Sequence, residues 1–244
     1  MTTARVLVID GNRAATRAQQ LASGGQPSGE GYVRVLAQLS GAHIERQIAL
    51  VKAVFAAAVP CFGSCWGMQL AVTATGGRVR ANPLGREFGF ARRIALSEAG
   101  RTHPMYRGKP AVFEAVTVHR DDIELLPPGA IGLAANDMGV QALELRLARS
   151  SFWGVQYHPE YSYAEIAATA LRYGPALLQQ QLFADRAELE QWVAELRALQ
   201  ERPQDPRLCW KHGLGPAMQQ EALKLAELGN WLELQVMPRC RLRR

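Results

Sequence analysis

Cysteine is scarce in this chain, and its scarcity argues against a disulfide-based fold. The 244 residues contain four cysteines, which are Cys61, Cys65, Cys209 and Cys240. A C-x3-C pair without a second pair or nearby histidines does not predict a structural zinc site. The amino terminus lacks the basic, apolar and cleavage segments of a secretory signal, so we expect a cytoplasmic protein with reduced thiols.

Long hydrophobic runs and nucleotide-binding loops are also missing. The longest apolar stretch, Ile48–Phe62, is interrupted by Lys52 and is too short to span a bilayer. No G-x-x-x-x-G-K-[ST] motif occurs, so the chain shows no site of its own for activating a nucleotide. We therefore expect no membrane contact, no cofactor and no metal.

Charge imbalance is confined to one end of the chain. The net charge is +6, and four of the positive charges stand in the last six residues, at Arg239, Arg241, Arg243 and Arg244. Without them the chain is close to balanced. We expect a solvated terminus and no nucleic-acid partner.

The chain does contain the alternating strand and helix patterns typical of an α/β protein. Helices are predicted over Glu30–Leu39, Glu45–Ala57 and Trp66–Thr75. Strands are predicted over Arg5–Asp10, Val59–Gly63, Arg78–Arg80, Phe88–Leu96, Ala111–Val118, Ile131–Asn136, Val140–Leu147 and Phe152–Tyr157. After about residue 173 only helical patterns follow. We predict a main domain over residues 1–174 and a helical extension over residues 175–244.

The most informative segment runs from Val59 to Leu70. An apolar strand enters Gly63-Ser-Cys65-Trp-Gly67 and continues as a helix, which is the G-x-C-x-G form of a nucleophile elbow. Glycines two residues before and after the cysteine would let backbone and helix approach without a clashing Cβ. A thiol at a helix amino terminus is favoured as thiolate, and Trp66 N–H would be an oxyanion donor. We predict that Cys65 is a nucleophile and that Cys61 is an ordinary buried cysteine.

A second motif, Val155-Gln-Tyr-His158-Pro-Glu160, stands at the end of a predicted strand. Residues two apart in extended backbone project to the same side. A carboxylate at Glu160 can therefore hold one ring nitrogen of His158 and present the other to a thiol. A lone histidine at a strand end is usually structural, but His-Pro-Glu together with an elbow cysteine predicts a Cys-His-Glu triad.

These two motifs resemble the signatures P-x-x-G-x-C-x-G-x-Q and V-Q-x-H-P-E of the class I glutamine amidotransferases, in particular the stand-alone, GMP-synthase-like members. The resemblance covers roughly residues 4–174. It implies a flavodoxin-like, three-layer α/β fold with a mixed central sheet. It also implies hydrolysis of the glutamine side-chain amide through a γ-glutamyl thioester, with ammonia passed to an acceptor or partner synthetase, and it allows a homo-oligomer.

The resemblance assigns roles residue by residue. Cys65, His158 and Glu160 take the triad positions. Further positions match family residues that bind the substrate: Trp66, Gly67, Gln69, Val118 and His119. For His119, an exposed histidine in a loop is the competing interpretation.

One region departs from the family pattern. The family has two more strands before the nucleophile strand, and a glycine loop after the second supplies another oxyanion N–H. No strand pattern occurs between Ile9 and Val59, and Gly41 is the only remnant of such a loop that we can suggest. Either a segment is left out of the sequence between Leu39 and Glu45, or the chain has lost these strands. We favour the first, because the loss would expose apolar surface on neighbouring strands.

Three functions follow as hypotheses. The first is a glutaminase that supplies ammonia to a synthetase. The second is a γ-glutamyl peptidase or hydrolase, which uses the same triad with water as the acceptor. The third is a non-catalytic regulatory subunit with an incomplete oxyanion hole.

Overall fold

The computed structural model describes residues 43–241, and the side chains of residues 44–239. The strand predicted over Arg5–Asp10, the helix predicted over Glu30–Leu39 and the loop remnant at Gly41 lie outside these residues. The described chain divides into a main unit, residues 43–159 with 216–241, and a second unit, residues 160–215.

The main unit is built on a mixed six-stranded sheet. The strands described in residues 43–159 are β1 (Cys61–Ser64), β2 (Arg78–Ala81), β3 (Glu87–Leu96), β4 (Val112–His119), β5 (Asp121–Leu125), β6 (Ala130–Asn136), β7 (Gly139–Arg146) and β8 (Ser151–Val155). The large sheet has the order β1-β8-β7-β6-β3-β4, and β2 pairs with β5 in a separate ribbon. Only β1 and β8 are parallel, so the remaining ladders of the large sheet are antiparallel.

Helices precede, interrupt and follow these strands. Those described before residue 160 are α1 (His43–Ala56), α2 (Trp66–Ala74) and α3 (Glu98–Thr102), with a 3-10 turn at Pro104–Tyr106. The carboxyl-terminal part of the main unit contains α7 (Pro216–Gln219), α8 (Glu221–Lys224), α9 (Ala226–Trp231), a π-helical turn (Leu232–Val236) and α10 (Met237–Arg241).

The large sheet is covered on both faces, which gives three layers. Phe152 and Trp153 follow each other in β8, so they point to opposite faces. Phe152 belongs to an apolar cluster with α2, against which part of α1 also packs. Trp153 belongs to the other cluster, which includes Ala217 and Trp231 from the carboxyl-terminal helices. These helices therefore complete the core of the main unit.

The second unit is helical, with α4 (Tyr163–Gln179), α5 (Arg186–Glu201) and α6 (Pro206–His212). The capping pattern in the sequence is confirmed, because the Asp185 side chain accepts a hydrogen bond from the backbone N–H of Glu188. Every third or fourth residue along α5 is buried, as predicted from its apolar spacing: Leu189, Val193, Leu196 and Leu199. The predicted domain boundary after residue 174 falls inside α4 and stays a prediction.

The order of elements from α1 to β8 follows the prediction, with element ends displaced by a few residues. Strand β5 and helix α3 are additional. β5 is a short run with three acidic residues, Asp121, Asp122 and Glu124, which does not have a strand-like composition. It forms because it pairs with β2 through an antiparallel ladder.

The interpretation that a segment is left out between Leu39 and Glu45 rests mostly on residues before the described range, so it stays a prediction. Within the described residues 43–60, the chain forms α1 and then enters β1 directly.

Candidate active site

The backbone at Cys65 has the strained geometry of a nucleophile elbow. Cys65 stands between the end of β1 and the start of α2, with φ 48° and ψ −104°. A non-glycine residue at positive φ costs about 1–3 kcal/mol, so surrounding interactions must hold it. One of them is the Cys65 N–H, which donates to the Val155 carbonyl oxygen at 2.7 Å. The predicted strand-to-helix turn is therefore formed, with a partly exposed thiol at its apex.

The two glycines of the elbow, Gly63 and Gly67, differ in the space around them. A Cβ placed on Gly63 would lie 2.7 Å from the carbonyl carbon of Gly67 and 2.9 Å from the Met68 nitrogen. Gly63 is thus required for close approach of helix and strand, as predicted. A Cβ on Gly67 would meet nothing within 4 Å. The expectation that Gly67 relieves a clash within the protein is wrong.

Trp66 opens α2, so its backbone N–H has no carbonyl partner within the helix. The first intrahelical bond runs from the Gln69 N–H to the Cys65 carbonyl at 3.1 Å. The indole Nε1–H of Trp66 donates to Gln47 Oε1 at 2.7 Å, and Gln47 is buried in α1. Sequence reasoning missed Gln47, although a buried polar residue in an apolar helix pattern is a signal for a specific partner.

The strand that leads to His158 lies directly beside the nucleophile strand. The parallel register pairs Gly63 with Gly154 and Ser64 with Val155. Both motifs therefore leave the sheet at the same edge, because parallel strands end on the same side. His158 is half-buried, and its backbone N–H donates to the Val116 carbonyl at 2.8 Å.

The end of β4 completes this edge of the sheet. The Cys65 Sγ lies 3.8 Å from the Val118 carbonyl oxygen, two residues beyond the Val116 carbonyl that holds His158. The segments that carry Cys65, Val118 and His158 thus meet at one place. Glu160 is exposed and is the first residue of the second unit. Its role as the orienter of His158 stays a prediction.

His119 is buried in strand β4, and the interpretation of it as an exposed loop residue is wrong. Its Nδ1 lies 3.0 Å from the Asp121 carbonyl, and its Nε2 lies 2.8 Å from Glu87 Oε2. Glu87 also accepts hydrogen bonds from the side-chain amides of Asn136 and Gln141. Both ring nitrogens are engaged within the protein, so the substrate contact predicted for this segment would fall to its backbone.

Gln69 is buried one turn into α2, directly after the elbow. Its Nε2 lies 3.2 Å from both the Asp121 carbonyl and Gln156 Oε1. Gln69 thereby joins the helix of the nucleophile to the turn after His119 and to the strand end before His158. Its predicted contact with substrate stays a prediction.

The two cysteines of the elbow segment have different surroundings. Burial raises the pKa of the Cys61 thiol to about 11. Cys61 is therefore protonated at neutral pH and is not a nucleophile there. Cys65 has the strained turn and the helix amino terminus, and Cys61 has neither.

Neither a metal-binding cluster nor a membrane-spanning helix occurs among the described residues. In residues 43–241 there is no group of three or more histidine, cysteine, aspartate or glutamate side chains that could hold a metal ion. Across the same residues, every helix is too short or too polar to cross a membrane.

Comparison of this chain with known proteins identifies its family. Residues 38–173 match the family model described as glutamine amidotransferase class-I. The chain is 44% identical over 120 residues to a gamma-glutamyl-L-1-hydroxyisopropylamide hydrolase from Pseudomonas sp., covering 48% of this chain and 41% of that protein. It is 36% identical over 119 residues to a GMP synthase (glutamine-hydrolyzing) from Thermomicrobium roseum, covering 49% and 21%. The chain thus spans less than half the length of these relatives.

Solved structures resemble the fold. A glutamine amidotransferase from Thermotoga maritima superposes with a TM-score of 0.52 at 17% identity, covering 78% of this chain and 82% of that one. A glutamine amidotransferase from Methylobacillus flagellatus superposes with a TM-score of 0.51 at 19% identity, covering 86% and 82%. The predicted flavodoxin-like fold with a mixed sheet is confirmed. By its matched region and its fold, the chain belongs to the class I glutamine amidotransferase family.

Proposed function

We propose that the protein hydrolyses the side-chain amide of glutamine through a γ-glutamyl thioester on Cys65. The observation that carries this proposal is the positive φ of Cys65, held by the hydrogen bond from its N–H to the strand that leads to His158. Strain at a sharp strand-to-helix turn is characteristic of sites where a side chain must be presented for reaction. Membership of the family supports the same chemistry.

The proposed reaction has two steps. The Cys65 thiolate attacks the amide carbon, and the oxyanion that forms accepts a hydrogen bond from the Trp66 N–H. His158, which carries the proton taken from the Cys65 thiol, gives it to the leaving nitrogen as the C–N bond breaks, and ammonia departs. Water attacks the thioester with His158 as general base, which releases glutamate and restores the thiol. Glu160 would hold the tautomer of His158 throughout.

A second candidate substrate is a substituted γ-glutamyl amide. The 44% identical relative is named as a hydrolase of such an amide. The bond broken and the thioester would be the same, and an alkylamine would leave in place of ammonia. The open space around Gly67 would admit a group on the amide nitrogen or the glutamyl chain.

We also propose that the ammonia released from glutamine passes to a partner synthetase. A relative of the chain is a GMP synthase, although only 21% of that protein is covered. A cytoplasmic location is part of the same proposal. Cys61, Cys65 and Cys209 are free thiols, which fits a reducing compartment.

The test compares hydrolysis and covalent labelling in Cys65→Ala and Cys61→Ala. Glutamine and γ-glutamyl isopropylamide are supplied side by side, with release of ammonia or amine measured. We expect Cys61→Ala to retain activity and Cys65→Ala to lose at least about 10³-fold, since removing a nucleophile leaves only binding and oxyanion stabilisation. The higher kcat/KM, for glutamine or for γ-glutamyl isopropylamide, identifies which of the two candidate substrates the enzyme prefers.

Covalent labelling tests the reactivity of Cys65 even if the enzyme hydrolyses no substrate without a partner protein. A glutamine analogue with an electrophilic carbon should add its mass to the peptide that contains Cys65, and addition should persist in Cys61→Ala. Absence of both turnover and labelling in the wild-type protein would refute the proposal and favour the non-catalytic subunit.

A further inference from the structure

The carboxyl-terminal helix α9 carries a fully buried carboxylate that the proposed reaction does not use. Glu227 has no exposed surface. Its two oxygens lie 2.8 Å and 2.9 Å from the Lys109 Nζ, and the Lys109 side chain is 1% exposed. The Lys109 ammonium also lies 4.6 Å from the centre of the Phe113 ring, within range of a cation–π interaction. The pair is thus enclosed on all sides by the core of the main unit.

The same carboxylate reaches the residue that precedes His158. The Tyr157 hydroxyl donates to Glu227 Oε1 at 2.5 Å and lies 3.0 Å from the Tyr106 hydroxyl. Burial, together with the neighbouring Glu227 charge, raises the pKa of Tyr157 well above its ordinary value. Tyr157 therefore stays protonated and remains a hydrogen-bond donor throughout the pH range in which the enzyme would work.

A buried ion pair is weak evidence for stability. Removing two charges from water costs about as much as their attraction returns, and apolar replacements of such pairs are often neutral or stabilising. Packing alone would be served by apolar side chains at Lys109, Tyr157 and Glu227. A hydrogen bond to a charged acceptor instead fixes the position of its donor, because it is short and directional.

Tyr157 and His158 are each held by a separate contact. The Tyr157 side chain is anchored on Glu227, while the His158 backbone N–H is anchored on the Val116 carbonyl of β4. The pairing of β8 ends at Val155, and beyond it the Gln156 N–H still donates to the Gln141 carbonyl at 2.8 Å. The contacts with Glu227 and Val116 then hold residues 157 and 158, where the pairing of strands no longer does.

We propose that Glu227 is a positioning residue, which fixes the backbone at His158 by holding the Tyr157 hydroxyl. This inference rests on the proposed function, in which His158 is the general acid and base. On this proposal, the carboxyl-terminal helices contribute to catalysis by holding His158 in place. It also explains why an ion pair is buried between α9 and the segment before β4.

The test uses Tyr157→Phe, which removes the hydroxyl and keeps the ring. We expect kcat to fall about tenfold with KM nearly unchanged, since small displacements of a catalytic group cost one to two orders of magnitude. The acid limb of the kcat profile against pH should shift, because it reports the base in the complex. The melting temperature should fall, because Glu227 Oε1 loses a buried donor, but Lys109 still pairs with this carboxylate and the protein should stay folded in the assay. Phenylalanine cannot form this hydrogen bond, so the wild-type protein is the reference for kcat and for the pH profile.

A second variant separates positioning from the cost of an unpaired charge. Lys109→Met combined with Glu227→Leu removes both charges together and should reproduce the fall in kcat while the protein stays folded. The matched control is Glu233→Gln, in the same carboxyl-terminal segment. Glu233 pairs with Arg107 on the surface, where both side chains are more than half exposed. The kcat and the pH profile of the Glu233→Gln variant should therefore equal those of the wild type.

Imidazole NMR distinguishes failure of this inference from failure of the proposed function. The His158 ring signals, assigned with His158→Gln, should shift and broaden in Tyr157→Phe and remain unchanged in Glu233→Gln. Unchanged His158 signals in Tyr157→Phe would overturn the positioning role even if the enzyme is active. A wild-type protein with neither turnover nor labelling, whose His158 signals still shift on Tyr157→Phe, would overturn the proposed function and leave the positioning role standing.

Discussion

The Cys65 N–H donates to the Val155 carbonyl at 2.7 Å, and this bond ties the nucleophile's turn to the strand that leads to His158. Because β1 and β8 are parallel neighbours in register, both strands end at the same level. The bond extends their pairing by one residue, to the point where Cys65 adopts its positive φ. The two motifs are thus parts of one edge of the sheet, although they are far apart in the sequence.

The elbow glycines provide a matched pair of variants. Gly63→Ala should destabilise the protein by about 1–3 kcal/mol, because its Cβ would overlap the backbone of the following helix. Gly67→Ala should leave the free energy of unfolding unchanged or slightly raised, since its Cβ meets nothing and alanine favours a helix. If Gly67 faces the substrate, the same variant should raise KM. Denaturant unfolding and steady-state kinetics measure both, and equal loss of stability in the two variants would contradict the prediction.

Gln69 allows a test of architecture against substrate binding. Gln69→Leu leaves the Asp121 carbonyl and Gln156 Oε1 without this donor, and we expect a loss of about 1–3 kcal/mol in the free energy of unfolding. Thr73→Ala is the control in the same helix, because it removes only an exposed hydroxyl that bonds to the Gln69 carbonyl. A Gln69→Leu protein as stable as the wild type would show that these two contacts do not hold the site together.

How much of this could be predicted depends on whether a contact is local. The elbow at Cys65 was predictable because glycine spacing and the strand-to-helix change lie within a few residues. The sheet around it followed from apolar runs, which reflect burial directly. Glu227 and Lys109 could not be paired in advance, because either residue alone looks like a charge on a solvated face. Their burial depends on how the carboxyl-terminal helices pack. The acidic strand β5 was missed for the same reason, since its pairing with β2 overrides its composition.

The predicted base and orienter should differ in the size of their effects. His158→Ala should lower kcat by about 10²–10⁴-fold, since it removes proton transfer in both steps. Glu160→Gln should lower it less, because the amide can still accept from one tautomer of the ring. Initial rates at saturating glutamine, with circular dichroism to show that both variants fold, measure this order. A larger loss in Glu160→Gln than in His158→Ala would reverse the assigned roles.

The Cys61 thiol leads to a prediction about stability and pH. Its pKa is raised by burial from 9.0 to about 11 in the folded protein, so the folded state holds its proton more tightly than the unfolded state does. Between these two values the unfolded chain binds fewer protons, and stability must fall as pH rises. The shift corresponds to a loss of at most about 2–3 kcal/mol across this window, and less to the extent that water reaches the partly exposed thiol. Lysines and tyrosines titrate in the same range, so the measurement is the difference between the wild type and Cys61→Ala. The wild-type free energy of unfolding should fall relative to that of the variant from pH 8.5 to 11, and a constant difference would show that Cys61 ionises as readily in the folded protein as in the unfolded chain.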